Sequence, residues 1–123
     1  MQLGAFSVSL AVRDIAASQA FYSHLGFTEA GGDAAQGWLI LRSGTTTIGL
    51  FQGMFEGNLL TFNPGWDTAA QPLDDFEDVR AIQARLQAAG LSLTQETDPA
   101  GTGPAHIALT DPDGNAILID QHV

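Results

Sequence analysis

The stretch FSVSLAVRDIAASQAFYSHLGF, residues 6–27, contains the strongest fold signal in this chain of 123 residues. As far as Val12 it alternates apolar with small or polar side chains, the period of two that is typical of a strand. Asp14 then stands where a helix N-cap belongs, and Gly26 suits the left-handed position that ends a helix. The stretch therefore predicts a strand followed by a helix over residues 15–25.

The remaining sequence predicts the same order of elements a second time. Three strands complete the first half, and the second half has a strand, a helix and three more strands. The second helix is predicted to begin at Asp74 or Asp75, where acidic side chains suit the positive end of a helix, and to end at Gly90. The strands predicted after the first helix are residues 27–30, 38–42, 45–52, 58–63, 91–95, 105–110 and 116–122.

The spacing of the two helix ends indicates a duplication, because Gly26 and Gly90 lie close to half a chain length apart. We interpret the halves as tandem β-α-β-β-β modules. Module one covers about residues 3–52, a linker 53–57, and module two about 58–123. The alternative is an unduplicated α+β domain, and in both cases a single domain is expected at this chain length.

The composition excludes several classes of function. The chain has no cysteine, which removes disulfides, thiolate metal ligands and cysteine nucleophiles, and no lysine, which removes Schiff-base chemistry. Its formal charge of −10 argues against nucleic acid as a partner and favours cationic ligands. No apolar run approaches the ~20 residues of a membrane span, so we expect no membrane partner and a cytoplasmic location.

Two sequence signatures, near the two ends of the chain, point to a known superfamily. They are Val12-Arg13-Asp14, Ser18, Phe21-Tyr22 and Leu25-Gly26-Phe27, and the later loop Asp111-Pro112-Asp113-Gly114-Asn115. In order and spacing they resemble the vicinal oxygen chelate superfamily of glyoxalase I, bleomycin-resistance proteins and extradiol dioxygenases. The resemblance implies an α+β fold of two βαβββ modules that form an open curled sheet shaped as a cup, within a homodimer.

The same resemblance bears on metal binding. Enzymes of the superfamily hold a divalent metal with His, Gln or Glu side chains on the first and last strands of the two modules. Carried over one at a time, these positions fall on Ser7, Gly49, Leu59 and Leu118. Only the serine offers a donor atom, whereas a divalent ion needs several. The resemblance therefore implies that the usual metal site is lost, and no cofactor is expected.

A cluster of polar residues in the last hairpin offers an alternative. If residues 111–115 form the loop, His106 pairs with Asp120, and His122 lies on the same face. These three catalytic candidates would place a carboxylate beside imidazole, which suits a general base or a relocated site for Zn, Mn, Ni or Fe. The plainer interpretation is an ordinary cross-strand pair, with His122 frayed at the chain end.

The ligand-binding prediction follows from the resemblance, which places the face of Leu118 inside the cup. Trp66 lies in a turn-like loop and either covers a ligand or packs on its own domain. Met54 and Phe55, in the linker, suggest a subunit contact if they are exposed. The predicted ligand-binding residues are Ser7, Ser9, Thr47, Gly49, Phe51, Thr61, Trp66 and Leu118.

Three functional hypotheses follow. The first is a homodimeric protein of the bleomycin-resistance kind that binds a small molecule in its cup without metal. The second is a metal-dependent lyase, isomerase or dioxygenase with relocated ligands. The third is a structural or partner-binding dimer that uses Trp66 and the segment 54–55. Because the usual ligand positions are lost, a non-enzymatic binding protein is favoured, and catalytic activity stays open.

Overall fold

The computed structural model describes all 123 residues and contains seven strands, two α-helices and one short 3-10 helix. The α+β fold class predicted from the sequence is confirmed. No helix is both long enough and apolar enough to cross a membrane. The elements are β1 (Ala5–Val12), α1 (Ile15–His24), β2 (Thr28–Asp33), the 3-10 helix (Ala34–Gln36), β3 (Trp38–Ser43), β4 (Thr46–Gln52), β5 (Leu59–Asn63), α2 (Val79–Ala88), β6 (Ala105–Thr110) and β7 (Ala116–Gln121).

The chain divides into two compact units. The first unit is Ser7–Leu59, and the second unit combines Met1–Phe6 with Leu60–Val123. In the first unit the strand order is β2-β3-β4-β1, with β1 parallel to β4 and the other neighbours antiparallel. In the second unit the order is β5-β7-β6, with β6 antiparallel to β7. The N-terminal segment is tied to the second unit by the N–H of Ala5, which donates to the carbonyl oxygen of Trp66 at 3.1 Å.

The core of the first unit lies between α1 and one face of its strands. Alternate residues of β3 and β4 point toward α1, and Leu39, Leu41 and Leu50 are at most 1% exposed. At the start of α1, Asp14 accepts a hydrogen bond from the N–H of Ala17. The N–H of Ile15, another group of the first turn without a partner inside the helix, donates to Gln52 Oε1 at 2.8 Å. The helix is therefore anchored to the end of β4.

The core of the second unit is built in the same way, with Val79 and Ile82 of α2 buried against the hairpin of β6 and β7. Asp78 caps α2 and accepts from the N–H of Arg80 at 2.8 Å. Burial alone would raise the pKa of the Asp78 carboxyl, but hydrogen bonds from Arg80 and Gln121 outweigh burial and lower it. The N–H of Val79 donates to Gln121 Oε1 at 2.8 Å.

Two sequence predictions in the second half are wrong. The helix begins at Val79 rather than at Asp74 or Asp75, because the first helical N–H groups are bound by Asp78 and Gln121. Residues 91–95 do not form a strand, and only an isolated bridge joins Gln95 to Ala108. The chain that follows is instead held by Gln83, whose side-chain amide bonds the N–H and the carbonyl oxygen of Thr97 at 2.8 and 2.9 Å.

The other element boundaries agree with prediction to within a few residues, and the hairpin of β6 and β7 has the predicted register. The largest of these differences is in β2, which was expected to stop before Gly31 and Gly32. The strand continues to Asp33 through an irregularity between Glu29 and Gly31. The extra residue bends the strand without ending its pairing with β3.

Candidate functional site

The strands of the first unit present a second face, directed away from α1, which we call the first-unit open face. Because side chains alternate along a strand, it is formed by the residues between the buried ones. The pairs Trp38–Phe51, Ile40–Gly49 and Arg42–Thr47 are its rows across β3 and β4. Its residues on β1, β3 and β4 are Ser7, Ser9, Ala11, Trp38, Ile40, Arg42, Thr47, Gly49 and Phe51, and on β2 the paired residues Thr28, Gly31 and Asp33 continue it. Five predicted ligand-binding residues therefore share this face, although their role in binding stays a prediction.

An aromatic ring covers Gly49, one of the positions where the superfamily resemblance implied a metal ligand. A Cβ atom at Gly49 would lie 2.5 Å from Phe51 Cε2 and 3.4 Å from Ile40 Cδ1. The backbone of Gly49 is not in the left-handed region, so it does not itself require glycine. The space for a side chain is taken by the Phe51 ring, and any larger residue would displace that ring.

Arg42 supplies a positive charge on the same face, and the sequence reasoning missed it. It is half-buried, and its Nε donates to Thr47 Oγ1 at 3.4 Å. Arg80 and Arg85 form ion pairs with Asp78 and with a glutamate, but no carboxylate lies within 4.0 Å of the Arg42 guanidinium. The sequence did contain a signal for it. Alternation along the largely apolar strand β3 places Arg42 on the side opposite Leu39 and Leu41.

The hairpin of the second unit also has a face directed away from its helix, which we call the second-unit open face. His106 is paired with Asp120 and Ala108 with Leu118, as predicted. His106 is exposed, whereas Leu118 is half-buried. Thr61 alternates with the core residue Phe62 on β5 and is itself buried. The face consists of Thr61, His106, Ala108, Thr110, Ala116, Leu118 and Asp120, with His122 just beyond the end of β7.

Two of the predicted polar residues form a defined contact at the end of β7. His122 Nε2 lies 3.2 Å from Asp120 Oδ2, and this hydrogen bond raises the pKa of His122 although partial burial opposes the change. The ring of Trp66 is stacked on the imidazole, with centroids 4.4 Å apart and planes within 8°. His122 is therefore held on two sides and not frayed, and Trp66 packs within its own unit.

The residues present do not fit a divalent metal. The positions implied by the resemblance provide one hydroxyl and no carboxylate or imidazole, and the ring of Phe51 fills the space at Gly49. The relocated set is not supported either, because no group of three or more His, Asp or Glu side chains is arranged to hold an ion. The structure brings His122 to Asp120 but does not gather His106 with them as a ligand set.

The acidic loop between β6 and β7 is explained by its own hydrogen bonds. Asp111 Oδ2 accepts from Asn115 Nδ2 at 2.6 Å, and Oδ1 accepts from the backbone N–H groups of Asp113 and Asn115. These bonds, above all the one from the Asn115 side chain, lower the pKa of Asp111. The loop is therefore a turn whose carboxylate is used internally.

The linker residues differ from one another. Met54 is 51% exposed, whereas the ring of Phe55 packs on Phe51 with a centroid distance of 5.3 Å. Phe55 is half-buried and extends the aromatic surface of the first-unit open face, whereas Met54 is the more exposed of the two. His24 is the last residue of α1 and is exposed, where a cation interacts favourably with the helix dipole.

The chain is similar to known proteins in family and in fold. A model of the Glyoxalase/Bleomycin resistance protein/Dioxygenase superfamily matches residues 4–119. No curated protein matches the chain.

Several solved structures share the fold. A member of the same superfamily from Vibrio splendidus 12B01 has a TM-score of 0.63 at 17% identity, with 94% of this chain and 97% of that chain covered. A protein described as NAD-dependent benzaldehyde dehydrogenase from Legionella pneumophila has a TM-score of 0.71 at 18% identity, with coverage of 96% and 99%. An extradiol ring-cleaving dioxygenase from B. fuscum has a TM-score of 0.58 at 18% identity. The match covers 98% of this chain but only 32% of the dioxygenase chain. Likeness at these identities shows the fold alone.

Proposed function

Because the chain belongs to the Glyoxalase/Bleomycin resistance protein/Dioxygenase superfamily, we propose that it binds a small molecule on an open strand face without a metal. The first-unit open face is the favoured site. The observation that carries the proposal is the Phe51 ring over Gly49, which puts apolar surface where a ligand to a metal would otherwise project. A binding protein needs such a surface and a few polar groups to orient its ligand.

The exposure of this face supports the proposal. On the helix side Leu39, Leu41 and Leu50 are at most 1% exposed, whereas Trp38 and Phe51 on the other side are half-buried. Half-buried aromatic side chains keep apolar area available for a ligand to cover. Polar atoms at the same face come from Ser7, Thr47 and Arg42. Ser9 is buried and already has an interaction partner, so it is a less available contact.

The test is binding in the absence of metal. The protein, treated with EDTA, is titrated with a panel of anionic, cationic and neutral aromatic compounds while backbone amide NMR signals and thermal unfolding are followed. We expect at least one class to shift the amides of β1, β3 and β4, and Mn²⁺, Zn²⁺ and Ni²⁺ to leave the melting temperature unchanged. Binding that needs an added metal, or no binding by any class, would overturn the proposal.

A pair of tryptophan substitutions provides the matched control. Ala11 is half-buried on the first-unit open face and is paired with Phe51, so Ala11→Trp fills the face. Ala20 is exposed on α1, and Ala20→Trp adds the same bulk elsewhere. Ligand shifts should be lost in the first variant and kept in the second, with the thermal unfolding of each variant reporting whether it is folded.

We infer a homodimer, supported by the exposed apolar side chains Phe21 and Leu25 at the end of α1, each 61% exposed. Sedimentation equilibrium of the protein and of Phe21→Ser/Leu25→Ser tests it, since a dimer through this surface would dissociate in the double variant. A cytoplasmic location remains an expectation from the sequence.

A further inference from the structure

We propose that the first-unit open face takes a small aromatic carboxylate, with its ring on Phe51 and Ile40 and its carboxylate on the guanidinium of Arg42. The inference rests on the proposed function and names the chemical class of the ligand. Two observations support it: Arg42 has no carboxylate partner, and its row across β3 and β4 is next to the row covered by the Phe51 ring.

Arg42 is a half-buried cation without a counter-ion. Of the four arginines, Arg80 and Arg85 have a carboxylate within 4.0 Å, whereas Arg13 and Arg42 have none. Arg13 is exposed to water, so Arg42 is the one that is both half-buried and without a carboxylate. Its Nε donates a long hydrogen bond to Thr47 Oγ1 at 3.4 Å, which leaves the terminal nitrogens of the group for a ligand. Neither terminal nitrogen has an acceptor within the chain. Guanidinium groups bind carboxylates through two parallel hydrogen bonds, so a ligand carboxylate completes this site.

The rows of the sheet place the cation beside an aromatic surface. Arg42 and Thr47 form one row across β3 and β4, and Ile40 and Gly49 form the next. Successive rows on one face are about 7 Å apart, twice the rise per residue of a strand. The ring of Phe51 reaches back over Gly49, so aromatic surface begins one row from Arg42. A carboxylate attached to a single ring spans this separation.

The aromatic surface extends away from the cation. Phe55 packs on Phe51, and Trp38 is paired with Phe51 in the following row. A flat ligand ring would cover half-buried apolar area there and gain from offset or edge-on contacts with the rings. An aliphatic acid of the same length would keep the ion pair but lose those contacts.

The net charge of the chain opposes the binding of a carboxylate, because a charge of −10 favours cationic ligands. That field is made by exposed groups and is screened within about 10 Å at 0.1 M ionic strength, whereas contact with a half-buried guanidinium is screened much less. Local charge therefore decides the ligand class on this face. Affinity for an anion should rise little when salt is lowered, because the unscreened field of the chain repels the ligand that Arg42 attracts.

The experiment compares benzoate, benzylamine and benzyl alcohol as probes, titrated into the EDTA-treated protein and followed by backbone amide NMR. Arg42→Gln removes the charge, and Arg42→Lys keeps it without the planar fork. Arg13→Gln, at an exposed arginine beyond the end of β1 and without an ion pair, is the matched control. We expect benzoate to bind most tightly, its dissociation constant to rise about tenfold or more in Arg42→Gln, and benzyl alcohol binding to stay unchanged.

Each remaining outcome separates the two proposals. Tighter binding of benzylamine than of benzoate, or equal benzoate binding by the wild type and Arg42→Gln, overturns the ligand class but leaves metal-free binding intact. If Arg13→Gln loses as much benzoate affinity as Arg42→Gln, the loss is an effect of net charge alone, and the proposed ligand class is overturned. If none of the three probes binds, the inference fails, and the wider panel under EDTA decides the proposed function independently.

Discussion

The two units anchor their helices by the same device but in different surroundings. In each unit an aspartate caps the helix, and a glutamine at the end of the last strand accepts the first helical N–H. The glutamine is Gln52 in the first unit and Gln121 in the second, each at 2.8 Å from its donor. Gln52 is exposed, whereas Gln121 is 1% exposed, and its Nε2 also donates to Asp78, Gly103 and Val123.

The faces opposite the helices differ more than the anchors do. The first-unit open face combines aromatic rings, a glycine and an unpaired arginine, while the second-unit open face carries an ion pair of His122 and Asp120. The requirement to start a helix on a sheet therefore constrains both units alike, and the side chains on the other face are free to diverge. This is why the family and the fold are well defined while the chemistry has to be argued from single residues.

The largest effect is expected at the buried anchor. Gln121→Ala leaves the buried N–H of Val79 and the carbonyl oxygen of Val123 without the amide that binds them. It also removes one hydrogen bond each from Asp78 and Gly103, which keep Arg80 as a donor, and we expect a total cost of about 2–4 kcal/mol in unfolding free energy. Gln52→Ala exposes its donor to water and should cost about 0.5–1.5 kcal/mol. Urea denaturation of both variants measures the difference.

Equal losses in the two glutamine variants would break the comparison, because they would mean that burial of the amide adds nothing. Gln121→Leu, which keeps the volume of the side chain, separates packing from hydrogen bonding. It should be nearly as destabilised as Gln121→Ala if the unpaired groups dominate.

An intermediate loss of unfolding free energy is expected from a substitution at Gly49, three residues before Gln52. Leu118 is the corresponding position before Gln121. Gly49→Ala places a Cβ against the Phe51 ring and should destabilise by about 1–3 kcal/mol, the usual range for overpacking. In a Phe51→Leu background the same substitution should cost much less, because the ring that it meets is gone. A double-mutant cycle by urea denaturation measures this coupling.

The cycle would contradict the structure if Gly49→Ala cost the same in both backgrounds. Leu118 provides the contrast in the other unit, because Leu118→Ala removes half-buried apolar surface rather than adding a clash. Its cost should therefore follow the apolar area lost and not an overpacking penalty.

The smallest effect concerns the ion pair of the second unit. Asp120→Asn should lower the pKa of His122 toward its ordinary value, since the carboxylate that accepts its hydrogen bond raises it. A raised folded-state pKa stabilises the protein below the ordinary histidine value of about 6.5 and loses that contribution as pH rises through the folded value. Asp120→Asn should therefore destabilise more at about pH 5 than at about pH 8.

Histidine NMR titration and urea denaturation at the two pH values check this prediction. Asp113→Asn, an equal change of charge in the exposed hairpin loop, should leave the titration of His122 unaltered. An unchanged pKa in Asp120→Asn would mean that the contact at 3.2 Å does not persist in solution.

Local sequence signals predicted much of this architecture. Helix α1 was predicted because Asp14 and Gly26 mark both of its ends, and the register of the last hairpin follows from its five-residue turn at 111–115. The start of α2 could not be chosen among neighbouring acidic residues, because Gln121, distant in sequence, helps to fix it. The sequence does not reveal that position.

The candidate site was predicted only in part. Alternation along β4 placed Thr47, Gly49 and Phe51 on one face, but not the ring of one over the backbone of another. The unpaired state of Arg42 depends on where 14 carboxylates lie in space. The alternation of residues along a strand predicts which face a side chain lies on. The residues that it contacts depend on the folded structure and are not read from the sequence.

The membership of the first six residues in the second unit sets an order of events during synthesis. Ser7–Leu59 is continuous in sequence, so a growing chain can complete this unit while translation continues. The other unit must wait until β7 has left the ribosome, and only then can Ala5 find the carbonyl oxygen of Trp66. We therefore expect Met1–Phe6 to be among the last segments of this chain to reach their final place.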